Sequence, residues 1–338
     1  MNIVFLIGNG FDIKQGLKTS YKEFYKWLKA RTDDRPDEKA WLRFKDDIDP
    51  DLELWADLEM ALGQYLANVD SDKDATEIIT HLRQRLQEYI CRQDSEFKIE
   101  DGLSIDPADL YNPISFFPEG TKRRIQSLKN NFENTYVDVN IILFNYTTSL
   151  ERLLEWDGTS QRHTIQNYTG SIPKDISAIE HIHGFCDERA RLAVGIDNKA
   201  QIANPVLAEN PKICRRYVKD EFNNCYELGH AQRCAEWIDN ADVICIYGMS
   251  LGESDQRWWN LVAHRLTVQP KSVLFYFVHR DMELRGNNGP EYQEQVDEDR
   301  QYLMSRLGLL ERSDTTSLST RIFVSYSPAI FTPRPSTF

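Results

Sequence analysis

The sequence predicts an α/β protein with a Rossmann-like, doubly wound and mainly parallel sheet and a helical insertion. Short apolar runs rich in Val, Ile, Phe and Tyr recur along the 338 residues, and helix-length segments separate them. Such runs are typical of strands buried on both faces of a parallel sheet, and the alternation is typical of doubly wound folds. The expected strands are residues 3–7, 139–144, 179–182, 243–247, 273–278 and 322–326.

The composition indicates a folded protein and restricts the classes of partner that it can bind. With 41% hydrophobic positions, the chain can bury one large core or a main domain with an elaborated insertion. A formal net charge of −13 disfavours a surface that binds nucleic acid phosphates. The sequence has no apolar run of about 18 residues and no leader-like N-terminus. We therefore expect a cytoplasmic protein without a membrane or nucleic acid partner.

The cysteine pattern gives no sign of a metal site. The six cysteines stand at positions 91, 186, 214, 225, 234 and 245, and none forms a C-x-x-C pair. Pairs of that kind chelate zinc or form redox couples. We expect reduced core thiols and no bound metal.

The first strand ends in a glycine turn, IGNGFDIKQGL at residues 7–17. Glycines after a buried strand let the backbone approach a phosphate, because a side chain there would block the ligand. The dinucleotide fingerprint would need a third glycine where this chain has Ile13. The turn therefore predicts a nucleotide loop of another kind. An irregular segment of about a dozen residues should follow, before a helix that opens with a capping-box pattern at Ser20.

Residues 30–136 have a different pattern, with three helical stretches and charged connectors. We interpret them as a helical insertion, so that residues 1–29 and 137–338 form the sheet domain. Within the insertion, Glu59 shares a helical face with Trp55, Leu62 and Leu66, which is an unusual place for a carboxylate. It is either a buried acid with internal partners or a group that reaches the ligand pocket.

Polar residues follow three later strands, at the edge where open α/β sheets bind ligands. They are Asn145 and Thr147, His183 beside Gly184, and Gly248 with Ser250. Each has an ordinary structural interpretation as well, because Asn, Thr and Ser cap helices and a lone histidine is often structural. Asp197 is a loop residue by default.

Taken in order, the four strand ends resemble the sirtuin-like NAD-binding fold and, more closely, the AbiH-type abortive-infection family within that group. A sirtuin-type loop has the pattern G-A-G-I-S, three residues, then G-I; this chain has GNGFD, three residues, then GL. The N-Y helix start, the H-G pair and the G-x-S-L loop of sirtuin-like NAD hydrolases are matched by Asn145-Tyr146, His183-Gly184 and Gly248-Met249-Ser250-Leu251. The phrases NGFD, TSYKEF and WADLE point to the AbiH family. The resemblance covers the sheet domain, and the insertion only around residues 55–59.

The resemblance implies NAD as substrate or ligand, and no metal. Asn145 would orient the ribose or a water, and His183 would hydrogen-bond the ribose hydroxyls or act as a base. The implied nucleotide-binding residues are Gly8, Asn9, Gly10, Phe11, Asp12, Gly16, Gly248, Ser250 and Leu251. Candidates for residues that support them are Glu59, Thr147, Asp197 and Asp255.

Two departures from the hydrolase pattern keep alternatives open. Thr147 stands where the hydrolases carry Asp, and Asp12, which would hold a ribose hydroxyl or cap the turn, stands where the sirtuin loop carries Ser. The leading hypothesis is an antiphage effector that hydrolyses NAD at the nicotinamide–ribose bond. The alternative is a sensor or switch that binds NAD or a related nucleotide without turnover. A nuclease-type effector is third, and is disfavoured by charge. A phage-derived trigger, a companion defence protein and a homo-oligomer are left open as partners.

Overall fold

The computed structural model describes residues 1–48, 55, 57–128, 136–159, 161–167, 170–186, 192–226, 229–279, 289–327 and 329–335. The strands are β1 (Asn2–Ile7), β2 (Leu103–Ser104), β3 (Val137–Leu143), β4 (Gln161–Asn167), β5 (Gly170–His181), β6 (Val243–Tyr247), β7 (Val273–Phe277), β8 (Ile322–Ser325) and β9 (Arg334–Pro335). All but β2 and β9 belong to one sheet.

Helices connect and flank the strands. They are α1 (Gly10–Lys14), α2 (Tyr21–Lys29), α3 (Lys39–Asp47), α4 (Leu58–Tyr65), α5 (Asp72–Glu96), α6 (Ala108–Tyr111), α7 (Glu119–Leu128), α8 (Ser149–Leu153), α9 (Pro205–Ala208), α10 (Pro211–Tyr217), α11 (Lys219–Asn224), α12 (His230–Asn240), α13 (Gln256–Val268), α14 (Gly289–Arg306) and α15 (Thr315–Ser319).

The sheet confirms the predicted fold class. Its strand order is β4-β5-β3-β1-β6-β7-β8, and every neighbouring pair is parallel except the edge pair β4 and β5. From β1 the chain winds outward through β3 to β5, and then returns to the other side of β1 at β6. Ligands of open α/β sheets bind beyond the carboxyl ends of the strands at such a switch point.

The central strands β1, β6 and β7 are almost wholly apolar because both faces of the sheet are covered. Side chains alternate along β1, so that Ile3, Phe5 and Ile7 enter one core cluster while Val4 and Leu6 enter the other. All five are fully buried. This two-sided burial is the reason that the strands lack the polar alternation of a half-exposed sheet.

Several predicted boundaries need correction. The irregular segment expected after the first strand is wrong, since α1 begins at Gly10 directly after the turn. The start of α2 is as expected, because the Ser20 side chain accepts a hydrogen bond from the Glu23 N–H. β4 was not expected, and β5 begins nine residues earlier than the predicted strand 179–182.

A third apolar cluster forms a helical layer. It joins α2 to α5 with residues from 192 to 218, including Ile196, Ile213 and Tyr217. The expected insertion thus shares one core with a later part of the chain. Its boundaries at residues 30 and 136 stay a prediction.

The cysteine expectation is wrong for two positions. The structure joins Cys91 of α5 to Cys186, in the loop after β5, as a disulfide. Packing of the helical layer against that loop brings together two residues that are 95 positions apart, which spacing patterns do not reveal. Cys234 and Cys245 are buried thiols, as expected, but the thiol of Cys225 is exposed.

None of the helices in the described part of the chain combines the length and the apolar character that a membrane crossing needs.

Candidate functional site

A cavity of about 870 Å³ opens where the parallel strands end at the switch point of the sheet. Residues that follow β1, β3, β5, β6 and β7 line it from the sheet, and side chains of α2, α4 and α5 line it from the helical layer. The structure brings these sequence-predicted residues to its wall: Gly8, Asn9, Gly10, Asp12, Glu59, Asn145, His183, Gly248, Ser250 and Asp255.

The glycines after β1 allow two loops to touch. A Cβ on Gly8 would lie 2.7 Å from the Gly248 carbonyl oxygen, and one on Gly10 would lie 2.6 Å from the Gly248 Cα. The Gly8 and Gly10 N–H groups donate to the carbonyls of Tyr247 and Gly248 at 2.9 and 2.8 Å. These two N–H groups are therefore not free to bind a phosphate. The two glycines are required because the loop after β1 packs against the loop after β6.

Asp12 is a fully buried carboxylate with one satisfied oxygen. Its Oδ1 accepts hydrogen bonds from Asn145 Nδ2 at 3.0 Å, Thr147 Oγ1 at 2.7 Å and Ser149 Oγ at 2.6 Å. Its Oδ2 is buried and has no partner within the described residues. Burial raises the pKa of Asp12 to about 6, although the three donors act against the shift.

Asn145 follows β3 and is oriented by the same carboxylate. Its amide donates to Asp12, which directs the side-chain carbonyl the other way. That carbonyl, Oδ1, is buried without a partner in the described structure. Asn145 thus offers an acceptor and not a donor to a ligand in the cavity. The helix-cap interpretation fails for Asn145 and Thr147, because Thr148 precedes α8 and makes no cap hydrogen bond with its side chain.

His183 forms a hydrogen-bonded pair with Asp255. Its Nε2 lies 3.0 Å from Asp255 Oδ1, so Nε2 carries the proton and Nδ1 keeps a lone pair. Nδ1 is buried and has no partner among the described residues. Burial and the nearby Lys219 lower the pKa of His183, so the neutral ring is the form present near pH 7.

Two further buried side chains, Lys219 and Glu59, extend the His183–Asp255 pair into a larger network. The Lys219 ammonium lies 2.8 Å from Asp255 Oδ1 and 2.6 Å from Glu59 Oε2. Glu59 also accepts the Gly195 N–H at 3.1 Å. Burial alone would raise the pKa of Asp255, but Lys219 and His183 hold it below its usual value; burial does raise the pKa of Glu59. Glu59 is therefore a buried acid with internal partners and also lies at the cavity wall, so both interpretations that the sequence offered for this residue apply.

The unpartnered atoms of the site are all hydrogen-bond acceptors. Asp12 Oδ2, Asn145 Oδ1 and His183 Nδ1 belong to residues that line the same cavity. A buried polar atom without a partner costs free energy, on the order of 1–3 kcal/mol. A ligand that presents several donors, such as the hydroxyls of a ribose or a carboxamide NH₂, would satisfy them.

Some sequence-predicted residues lie outside the cavity. Phe11 is fully buried in the sheet core, where its ring contacts Tyr247 and Phe331. Gly16 lies at a separate surface depression, and Leu251 is buried in the core cluster on the other face of the sheet. None of these three residues lines the cavity.

Thr147 and Asp197 support other groups. Thr147 is fully buried and donates to Asp12, so it acts on the site through that carboxylate. Asp197 lies in a loop outside the cavity, in agreement with the loop interpretation. Its carboxylate accepts a hydrogen bond from the main-chain N–H of Arg257 at 3.1 Å.

The sequence did not single out several residues of the site. Lys219 lies beside the cavity and Arg306 at its wall, and no motif in the sequence marks either residue. Asp57 and Tyr21 also line the cavity; they belong to the phrases WADLE and TSYKEF, which indicate the family but give these two residues no role. Only their position in the folded structure distinguishes them from surface residues. Across the described ranges, no cluster of three or more His, Cys, Asp or Glu side chains is arranged to hold a metal ion.

A known protein family matches most of the chain. The model of a family described as "Bacteriophage abortive infection AbiH" matches residues 4–277, which include every strand of the sheet except β8 and all residues at the cavity named so far except Arg306. No curated protein matches the chain.

Proposed function

The chain belongs to the AbiH family of bacteriophage abortive infection proteins, and we propose that it acts in that defence by hydrolysing NAD at the bond between nicotinamide and ribose. The cavity at the switch point is the proposed site. NAD loss would stop an infected cell from supporting phage growth.

The set of unpartnered acceptors carries this proposal. Asp12 Oδ2, Asn145 Oδ1 and His183 Nδ1 are buried at one cavity and call for a ligand with several donors. The ribose next to nicotinamide has two hydroxyls, and the carboxamide adds an NH₂. A cavity of about 870 Å³ is in the size range of cofactor sites.

The charges at the cavity support an oxidised nicotinamide. The acids Asp12, Asp57, Glu59 and Asp255 line it, two of them paired with Lys219, whereas within the described part of the chain Arg306 is the one arginine or lysine at its wall. Arg306 is held by the loop after β6, where its Nε donates to the Leu251 carbonyl at 2.8 Å. The positively charged nicotinamide ring would suit the acidic residues, and the pyrophosphate would suit Arg306.

The chemistry requires little acid catalysis. Cleavage passes through an oxocarbenium-like transition state, and the C–N electron pair leaves with nicotinamide, which becomes neutral. Water adds to the anomeric carbon and gives up a proton, for which the Nδ1 lone pair of His183 is the acceptor in this proposal. Asn145 would orient the ribose or the water, and the ionised Asp12 would stabilise the developing positive charge.

The missing Asp at position 147 favours a second candidate, a sensor that binds the nucleotide without turnover. In the structure, however, the Thr147 hydroxyl lies 2.7 Å from Asp12 Oδ1, so α1 supplies a carboxylate at this place. This contact supports hydrolysis over binding alone.

Nicotinamide release from NAD by the full-length protein tests the proposal. Protein should be purified from uninfected and from phage-infected cells, since a defence effector must be silent in healthy cells. We expect release in the infected preparation and none with His183→Ala. Measured NAD binding without release in either preparation would favour the sensor, and neither binding nor release would overturn the proposed ligand.

A further inference from the structure

Lys219 is a buried lysine that the proposed reaction does not use. Its side chain is 6% exposed, and its ammonium contacts Glu59 Oε2 at 2.6 Å, Asp255 Oδ1 at 2.8 Å and the Ser254 carbonyl at 3.0 Å. Three acceptors match the three N–H bonds of an ammonium group. The lysine is therefore fixed in position and has no donor left for a substrate.

The contacts of Lys219 join separate parts of the fold at the cavity. Lys219 begins α11, and Glu59 belongs to α4 of the helical layer. Asp255 follows β6, and His183 follows β5. Four parts of the fold that are distant in sequence thus meet in one buried network of ion pairs and hydrogen bonds, Glu59–Lys219–Asp255–His183.

The shared oxygen of Asp255 determines how this network affects the protonation of His183. Asp255 Oδ1 accepts from both Lys219 Nζ and His183 Nε2. An ionised Asp255 requires the proton of the neutral imidazole to be on Nε2, which leaves the lone pair on Nδ1. Without the ammonium, buried Asp255 would draw a second proton to the ring, and Nδ1 could no longer accept one.

We propose that Lys219 is a positioning residue: its ammonium shares Asp255 Oδ1 with His183, opposes a second proton on the ring, and so holds His183 in the neutral form with its Nδ1 lone pair free for the ligand. The catalytic consequence rests on the proposed NAD hydrolysis, whereas the effect on the histidine does not. Buried ion pairs often add little to stability compared with apolar residues of similar size. Orientation of His183 gives this network a specific consequence at the cavity.

The electrostatic surroundings of His183 are simple enough for a titration. Asp255 and Lys219 face its ring most closely, Glu59 acts through Lys219, and Asp220 of α11 adds a weaker negative charge. The rings of Phe144 and Tyr146 lie near it as well, and burial raises the pKa of Tyr146, so that Tyr146 stays neutral.

Nitrogen-15 NMR of histidine-labelled full-length protein tests the proposal without any need for activity. The chain has seven histidines, and the His183→Gln spectrum identifies the signals of His183. In the parent protein we expect a neutral ring protonated on Nε2 near pH 7. In Lys219→Met the pKa of His183 should rise by about one pH unit or more, because a like charge is removed. Lys219→Arg should keep the parental signals.

Lys45→Met is the matched control. Lys45 is also a buried lysine that pairs with an aspartate, Asp34, at 2.6 Å, but it lies in the helical layer away from the cavity. Its removal should lower the melting temperature and leave the His183 signals unchanged. If Lys219→Met folds and its His183 titrates as in the parent, the positioning role is overturned.

Activity gives the second readout. In a preparation that releases nicotinamide, Lys219→Met should lose about tenfold or more of the rate near pH 7, and the acid limb of its pH profile should move to higher pH. A parent without nicotinamide release would contradict the proposed function, and the NMR titration would still decide the role of Lys219.

Discussion

Asp12 combines burial, charge and a free oxygen in one side chain, which makes it costly to the fold. Its pKa of about 6 lies above the ordinary 3.8, so the folded protein binds more protons than the unfolded chain between these pH values. Stability therefore falls as the pH rises through this window, and the ionised group costs roughly 2–3 kcal/mol at pH 7. Such a cost is typical of functional sites.

Asp12→Asn should raise stability and remove activity. The variant keeps an oxygen for the three donors but has no charge to bury, so we expect its free energy of unfolding at pH 7 to rise by roughly 1–3 kcal/mol. Nicotinamide release should fall. Urea denaturation between pH 4 and 7 measures the effect, with Asp101→Asn at an exposed turn as the control. A destabilised Asp12→Asn with normal pH dependence would contradict the assigned burial cost.

His183 and Asn145 should be indispensable for cleavage. Loss of either polar group should lower nicotinamide release by about 10²-fold or more, with a melting temperature close to that of the parent. His264→Ala makes the same change at an exposed site of α13 and should leave the rate unchanged. Parental release by His183→Ala would show that the base lies elsewhere.

His181→Ala is a poor control for His183→Ala, because the His181 ring makes structural contacts of its own. His183 lines the cavity, whereas His181, two residues earlier, is absent from its wall. The His181 ring, however, contacts the main-chain carbonyl of Asn145 at 3.2 Å and the Glu151 carboxylate at 2.5 Å. We expect His181→Ala to lower stability through these lost contacts.

Residues at strand ends could be predicted, whereas Lys219 could not. Asn145 and His183 follow apolar runs, and parallel strands bring such ends to one edge. Lys219 lies in the sequence KDEFNN, which has the composition of a surface helix. Its burial results from packing between α4, α11 and the loop after β6, and no local pattern encodes that contact.

At the level of elements, the contact between the loops after β1 and β6 positions both sides of the cavity. Gly10→Ala would place a Cβ 2.6 Å from the Gly248 Cα, so we expect a loss of roughly 2 kcal/mol or more as the loops separate. Gly120→Ala in α7 meets no atom within 4 Å and should stabilise by roughly 0.5–1 kcal/mol. Chemical denaturation compares them, and equal effects would show that the loops adapt without cost.

The elements that the sequence predicted are those with strong apolar patterns. β6 and β7 are buried throughout, β1 is buried from Ile3 onward, and the bounds of all three strands agree with the prediction within one residue. β4 has the sequence QRHTIQN, which contains no apolar run, and pairs antiparallel at the edge of the sheet. The brief α1 was missed because five residues are too few to show helical periodicity.

At the scale of the whole molecule, we predict that the activity needs no metal ion and that the protein binds no nucleic acid. The net charge is −13, and the described residues hold no cluster of metal-binding side chains. Dialysis against a chelator should leave nicotinamide release unchanged, and the protein should neither bind nor cut DNA at physiological salt. Metal-dependent DNA cleavage that persists in His183→Ala would favour the nuclease hypothesis.

The central claim is that phage defence works through NAD hydrolysis in this cavity. The most direct test measures NAD in infected bacteria that the protein demonstrably protects, with His183→Ala and His264→Ala compared at equal expression. We predict that NAD falls during infection and nicotinamide accumulates with the parent and with His264→Ala, whereas His183→Ala abolishes both the NAD loss and the protection. Protection by the parent at an unchanged NAD level would contradict the account.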